Sequence, residues 1–103
     1  MDKDEIISRL RAHRSELQAM GAEHVSLFGS VARGEATAES DVDVLVKLSE
    51  PVMDSGFGYF SALARLQARI GAITGFANVD VVAEPLEKES VKRSVERDRA
   101  VAF

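Results

Sequence analysis

Residues 27–46 read LFGSVARGEATAESDVDVLV, and this stretch decides how the rest of the chain is interpreted. A glycine-rich turn at 29–34 lies between two short apolar runs, and the second run carries two aspartates. Valine-rich runs bounded by glycine and serine are typical of β-strands. The stretch therefore predicts a strand, a turn from which a helix can start, and a second strand that carries acidic side chains.

The segments on either side continue an alternation of helices and strands. Residues 4–20 have the apolar spacing of an amphipathic helix, and residues 24–28 form the first predicted strand. The later predicted elements are a strand at 40–48, a loop at 49–56, a helix from 57 up to Gly75, a strand at 78–83, a short charged helix at 86–95 and an edge strand at 99–103. We expect one α+β domain over residues 1–103, with helices packed on a mixed sheet of about four to five strands.

The glycine-rich turn suggests phosphate binding, although it is weak evidence by itself. Backbone N–H groups near Gly29 can point at a phosphate, Ser30 adds a hydroxyl donor, and Arg33 can counter phosphate charge. These residues are the candidate nucleotide-binding set. The glycines have P-loop spacing, but Glu35 stands where a P-loop needs its lysine. Taken alone, the turn is better interpreted as an ordinary strand-to-helix connection.

The aspartates of the second strand change that interpretation. Asp41 and Asp43 are two positions apart, so an extended strand puts both carboxylates on one face and Val42 on the other. Asp80 lies in a similar valine-rich run. Neighbouring carboxylates repel each other unless a cation separates them, and oxygen ligands suit Mg²⁺ or Mn²⁺. We predict that the three aspartates are catalytic and hold two Mg²⁺ ions for in-line displacement at phosphorus; solvent-facing acids on an open sheet are the simpler alternative.

Composition narrows the class of protein. The chain has 103 residues, of which 46% are hydrophobic and 29% charged, as in ordinary globular domains. It has no cysteine, which excludes disulfide scaffolds, zinc-thiolate sites and cysteine nucleophiles. A net charge of −4 argues against stable nucleic-acid binding, which requires basic side chains. The acidic N-terminus and the lack of a long apolar run predict a cytoplasmic protein without a signal peptide or membrane segment.

These motifs together resemble the signature of the polymerase β-like nucleotidyltransferase superfamily. The ten residues 31–40 separate Gly29-Ser30 from Asp41-x-Asp43, which is similar to the GS-x10-D-x-D pattern of minimal nucleotidyltransferases, the MntA-type antitoxins. Residues 78–82 look like the third-acid strand of that family, and residues 94–103 are similar to its closing strand. The resemblance covers nearly the whole chain. It implies the polymerase β-like nucleotidyltransferase fold.

The resemblance also implies a mechanism. Gly29 and Ser30 would hold the triphosphate of ATP, and Asp41 and Asp43 would bind both Mg²⁺ ions. Asp80 would complete the site of the ion that activates the attacking hydroxyl. Transfer of AMP would release pyrophosphate.

A partner protein is implied in the same way. Proteins similar to this chain pair with HEPN toxins, which are RNases, and neutralise them by adenylylating a toxin tyrosine. We expect an open site, because no further domain is visible, with its other wall supplied by the toxin in a hetero-oligomer. The alternative function is a catalytically weak or inactive nucleotide-binding antitoxin that neutralises its partner by binding alone. An enzyme acting on RNA or a small molecule is disfavoured by the acidic charge and the missing second domain.

Two surface features have simple interpretations. Phe57, Tyr59 and Phe60 are expected to pack in the core and at the helix start, whereas exposed aromatic residues there would mark a partner interface. Basic residues at 88–99 alternate with acidic ones, which indicates a solvated face.

Overall fold

Helices and strands alternate along the chain in the computed structural model, which describes residues 2–35, 37 and 39–103. The elements of this part of the chain are α1 (Lys3–Ala12), α2 (Arg14–Ala19), β1 (Ala22–Phe28), α3 (Gly29–Ala32), β2 (Val42–Leu48), α4 (Glu50–Met53), α5 (Phe57–Thr74), β3 (Val79–Ala83), α6 (Glu89–Asp98) and β4 (Ala100–Val101). None of these helices is both long enough and apolar enough to cross a membrane.

The predicted order of elements is confirmed, with differences near their ends. The helix predicted at 4–20 is divided at His13, whose backbone leaves helical geometry (φ −104°, ψ 16°) and whose carbonyl accepts the first hydrogen bond of α2. The loop predicted at 49–56 contains the single turn α4, which Pro51 favours because proline fits the first turn of a helix. The last helix begins at Glu89 rather than at residue 86, because the residues after Pro85 are irregular.

A mixed sheet of four strands, in the order β3-β2-β1-β4, forms the framework. β1 pairs antiparallel with β2 and β4, whereas β2 pairs parallel with β3. The expected mixed sheet is therefore confirmed, and its register has a chemical consequence. Asp43 lies opposite Phe28 on one side and opposite Asp80 on the other. The end of β1 and the starts of β2 and β3 meet at one place.

The two faces of the sheet are covered differently. One face packs against α1 and α5 through the main core, whose fully buried members include Leu10, Val44, Leu66 and Ile70. Burying a side chain of this size contributes about 1.5–3 kcal/mol. The other face carries a small cluster of Phe28, Leu45 and Val95, in which Val95 comes from α6. Asp43 shares this second face with Leu45, since alternate residues of a strand point the same way.

Candidate active site

Gly29 brings the backbone of the turn directly against a carboxylate. It follows β1 and begins α3 with φ +74°, a conformation that side chains rarely allow. A Cβ atom at this position would overlap the carboxylate of Asp43. The backbone conformation therefore favours glycine here, and any side chain would have to displace the Asp43 carboxylate. The arrangement places the candidate phosphate-binding turn beside one of the candidate metal ligands.

The three predicted carboxylates influence one another at this place. Asp43 is partly buried, whereas Asp80 and Asp41 are exposed, the latter one residue before β2 rather than inside it. Burial raises the pKa of Asp43, and the negative charges of Asp80 and Asp41 raise it further. The positive charge of Arg33 acts in the opposite direction on the same pKa. The residues that the sequence singled out thus share one electrostatic neighbourhood.

The donor chemistry of this neighbourhood suits a hard divalent cation. Carboxylate oxygens are the ligands that Mg²⁺ prefers, and a cation between them would relieve the repulsion that raises the pKa of Asp43. Within the described ranges, no three His, Cys, Asp or Glu side chains form a ready-made metal cluster. Metal binding by Asp41, Asp43 and Asp80 therefore stays a prediction.

Ser30 lies within the short helix α3, and Arg33 follows its last residue. Ser30 is the second residue of α3, and its carbonyl accepts a hydrogen bond from the backbone N–H of Glu35. Arg33 is the C-terminal cap of this four-residue helix. Its Nε donates to Glu35 at 2.8 Å, and its Nη1 donates to Asp98 at 2.8 Å. These acids raise the pKa of Arg33, Glu35 most, so the guanidinium stays charged.

Asp98 is the residue of this region that sequence reasoning missed. The alternating charges near the C-terminus indicated a solvated face, yet the Asp98 side chain is only 4% exposed. It reaches Arg33 across 65 positions of sequence. Short-range charge patterns carry no information about a contact at that separation. The resemblance of residues 94–103 to a closing strand gave no signal for this contact, because Asp98 ends helix α6 and only Ala100–Val101 form a strand.

Phe57 and Phe60 correct a second expectation. Their exposed fractions are 92% and 68%, so the prediction that they pack in the core is wrong, whereas Tyr59 does pack against the main core. The Tyr59 and Phe60 rings meet edge to face with centroids 5.2 Å apart. Tyr59 and Phe60 line a groove of about 500 Å³, together with residues of β3 and of the segment that leads into α6. Exposed aromatic residues beside a groove are typical of a surface that contacts a partner.

Comparison with known proteins identifies the family to which this chain belongs. A family model described as a nucleotidyltransferase domain matches residues 7–102. The chain belongs to the nucleotidyltransferase domain family. A protein adenylyltransferase named MntA from Thermococcus cleftensis is 34% identical over 96 residues, which cover 92% of this chain and 90% of the relative. The predicted resemblance to MntA-type minimal nucleotidyltransferases is confirmed.

Solved structures agree on the fold. One that is described as a minimal nucleotidyltransferase is 33% identical, has a TM-score of 0.71, and is matched over 97% of this chain and 95% of its own. A toxin–antitoxin structure with AMP-PNP has a TM-score of 0.64 at 18% identity, over 100% of this chain and 73% of the other. A complex of a tri-AMPylated Shewanella oneidensis HEPN toxin with its MNT antitoxin has a TM-score of 0.60 at 14% identity, over 94% and 71% of the respective chains. The last two show a shared fold only.

Proposed function

We propose that this protein transfers AMP from ATP to a tyrosine hydroxyl of a HEPN-type toxin, with release of pyrophosphate, and thereby acts as an antitoxin. The observation that carries the proposal is the contact between Gly29 and Asp43, with Asp80 in register beside them. It brings a phosphate-binding turn and a set of carboxylates to the same point. The adenylyltransferase named MntA, at 34% identity, supports the same activity.

Asp41, Asp43 and Asp80 would hold two Mg²⁺ ions. When bound, such ions polarise phosphoryl oxygens and favour deprotonation of an attacking hydroxyl. The half-buried Asp43, which lies between the other groups, is the natural shared ligand.

The other site residues would bind and orient the substrates. The backbone of Gly29 and the hydroxyl of Ser30 would bind the triphosphate, with Arg33 countering its charge. Asp80 is exposed on the edge strand β3, so an acceptor hydroxyl can approach it from solvent and transfer its proton there.

A toxin that covers the exposed aromatic residues would dock at the β3 edge of the sheet. Phe57 and Phe60 lie at the start of α5, and Phe60 lines a groove with residues at the end of β3. Asp80 lies near the start of that strand, so a toxin docked on these rings would extend along β3 to bring its acceptor hydroxyl to Asp80. The HEPN toxin seen with an MNT antitoxin of the same fold supports this class of partner.

Intact-mass spectrometry of the toxin tests this function. We expect the purified HEPN toxin to gain the mass of one or more AMP units after incubation with the protein, ATP and Mg²⁺. Asp41→Ala should abolish the gain, while Asp54→Ala, which changes an exposed acid outside this site, should not. A stable complex without a mass change would instead establish the alternative antitoxin that acts by binding alone.

A further inference from the structure

A carboxylate at the end of α6 binds the residue that follows α3. Asp98 is the last residue of α6, and its Oδ2 accepts a hydrogen bond of 2.8 Å from Nη1 of Arg33. The same carboxylate accepts hydrogen bonds from the exposed Arg97 at 3.0 Å. The Asp98 side chain is only 4% exposed, and these hydrogen bonds hold its carboxylate between the two arginines.

The helix that carries this carboxylate is packed on the second face of the sheet. Val95, one turn earlier in α6, is buried against Phe28 and Leu45 on the second face of the sheet. Phe28 directly precedes Gly29, so the helix that carries Asp98 is packed against the strand that leads into the phosphate-binding turn. The position of Asp98 relative to that turn is therefore set by the core.

Arg33 lies between helix α6, which carries Asp98, and the carboxylate site. Its backbone N–H donates to the carbonyl of Gly29 at 3.2 Å, so Arg33 is fixed beside the phosphate-binding turn that contacts Asp43. Its Nε and Nη1 bind Glu35 and Asp98, whereas Nη2 makes no hydrogen bond to any residue within 2–35, 37 and 39–103. An arginine presents five donors in a flat fork, so it can keep both carboxylates and still donate to a phosphate.

We propose that Asp98 is a positioning residue for nucleotide binding, which holds the Arg33 guanidinium beside the phosphate-binding turn before ATP arrives. The inference rests on the proposed function, since it takes the triphosphate as the anion that Arg33 meets. An arginine side chain that is already ordered loses less conformational freedom on binding, so anchoring it increases affinity. Asp98 itself does not contact the nucleotide.

A double-mutant cycle on nucleotide affinity tests the proposal. Calorimetry would give the Kd of Mg-ATP for the wild type, Arg33→Ala, Asp98→Ala and the double variant. We expect Arg33→Ala to raise Kd about 10- to 100-fold, as for loss of a charge-assisted hydrogen bond. Asp98→Ala should raise it about 5-fold, because an unanchored Arg33 still binds part of the time. The double variant should bind no more weakly than Arg33→Ala.

Turnover separates positioning from general damage. With saturating toxin and varied ATP, Asp98→Ala should raise KM for ATP and leave kcat within about twofold of the wild type, since only binding is affected. Arg97→Ala removes the exposed partner of Asp98 and should leave KM unchanged. If Asp98→Ala does not fold, the nearly isosteric Asp98→Asn takes its place in the cycle, with a smaller expected effect.

Two results would overturn the proposal, and they are distinguishable. A full Asp98→Ala effect that persists in the Arg33→Ala background would show that Asp98 acts on the fold rather than through Arg33, with the proposed function intact. A wild-type protein that binds no Mg-ATP would contradict the proposed function, and this inference with it.

Discussion

At the residue scale, Gly29 is the position where backbone geometry and chemistry depend on each other most directly. We expect Gly29→Ala to lower the free energy of unfolding by about 1–3 kcal/mol, the usual cost of a strained backbone conformation. It should also reduce transfer by about tenfold or more, because the methyl group displaces the Asp43 carboxylate. Denaturant unfolding and the toxin-modification assay measure the two effects.

Gly34→Ala is the matched control for that substitution. Gly34 also has a positive φ, +78°, but a Cβ there would meet nothing within 4 Å. The control should therefore lose stability while keeping most of the activity. Equal losses of activity in the two variants would contradict the claim that contact with Asp43 is what makes Gly29 necessary.

The raised pKa of Asp43 gives a second prediction at this scale. Because its folded-state pKa lies above the unfolded value, the stability linked to Asp43 is fully present below the unfolded pKa and is lost as pH rises through the folded pKa. Asp43→Asn removes this loss, so in EDTA near pH 7 the variant should have the higher Tm. The difference should vanish near pH 3, below the ordinary carboxyl pKa of about 3.9.

Magnesium should reverse the order of these two proteins. Mg²⁺ is expected to raise the Tm of the wild type and to raise that of Asp43→Asn less, because the variant lacks one carboxylate ligand. Its transfer activity should fall about a hundredfold or more. A wild type that is the more stable protein in EDTA at neutral pH would contradict this electrostatic account of the site.

At the scale of elements, most of the fold could be predicted from apolar periodicity. The helix α5 and the valine-rich strands follow directly from the spacing of their buried residues. The break at His13 and the turn α4 could not be predicted, because they depend on backbone geometry over one or two residues. The candidate site residues within 27–46 could be proposed from their motif, and Asp80 from the similar valine-rich run around it. The contact between Arg33 and Asp98 could not, because packing of α6 on the sheet creates it.

Helix α5 holds the strands of the site in place, and its core contact can be tested. Leu66 is fully buried between α5 and the sheet, whereas Leu63 is only partly buried against the same core. Leu66→Ala should lower the free energy of unfolding by about 2–5 kcal/mol, the usual cost of a cavity in a core. Leu63→Ala should cost clearly less. Equal costs in denaturant unfolding would contradict the packing described for this helix.

At the scale of the whole molecule, Phe57 and Phe60 form an exposed apolar surface of the kind that partners contact. Because Phe57 and Phe60 are largely exposed, replacing both with Ser should change the free energy of unfolding of the isolated protein by only about 0.5 kcal/mol. The same double variant should weaken toxin binding about tenfold or more if these rings are interface anchors. Val101→Ser changes an exposed apolar residue on β4, the opposite edge of the sheet, and should leave the affinity unchanged.

The affinity of the toxin for these variants tests whether Phe57 and Phe60 contact it. A complex that tolerates the Phe57 and Phe60 substitutions as well as it tolerates Val101→Ser would place the toxin elsewhere. The carboxylate site would then need another explanation for how its acceptor is brought close to Asp80.

The most direct test of the central claim follows the phosphorus atoms of ATP. The toxin would be incubated with the protein, Mg²⁺ and ATP labelled at either the α- or the γ-phosphate, with Asp41→Ala as the control. Nucleotidyl transfer at the site of Asp41, Asp43 and Asp80 is expected to place the α-label on the toxin and the γ-label in pyrophosphate, and Asp41→Ala should label nothing. Label from the γ-phosphate on the toxin, or equal α-labelling by Asp41→Ala, would contradict it.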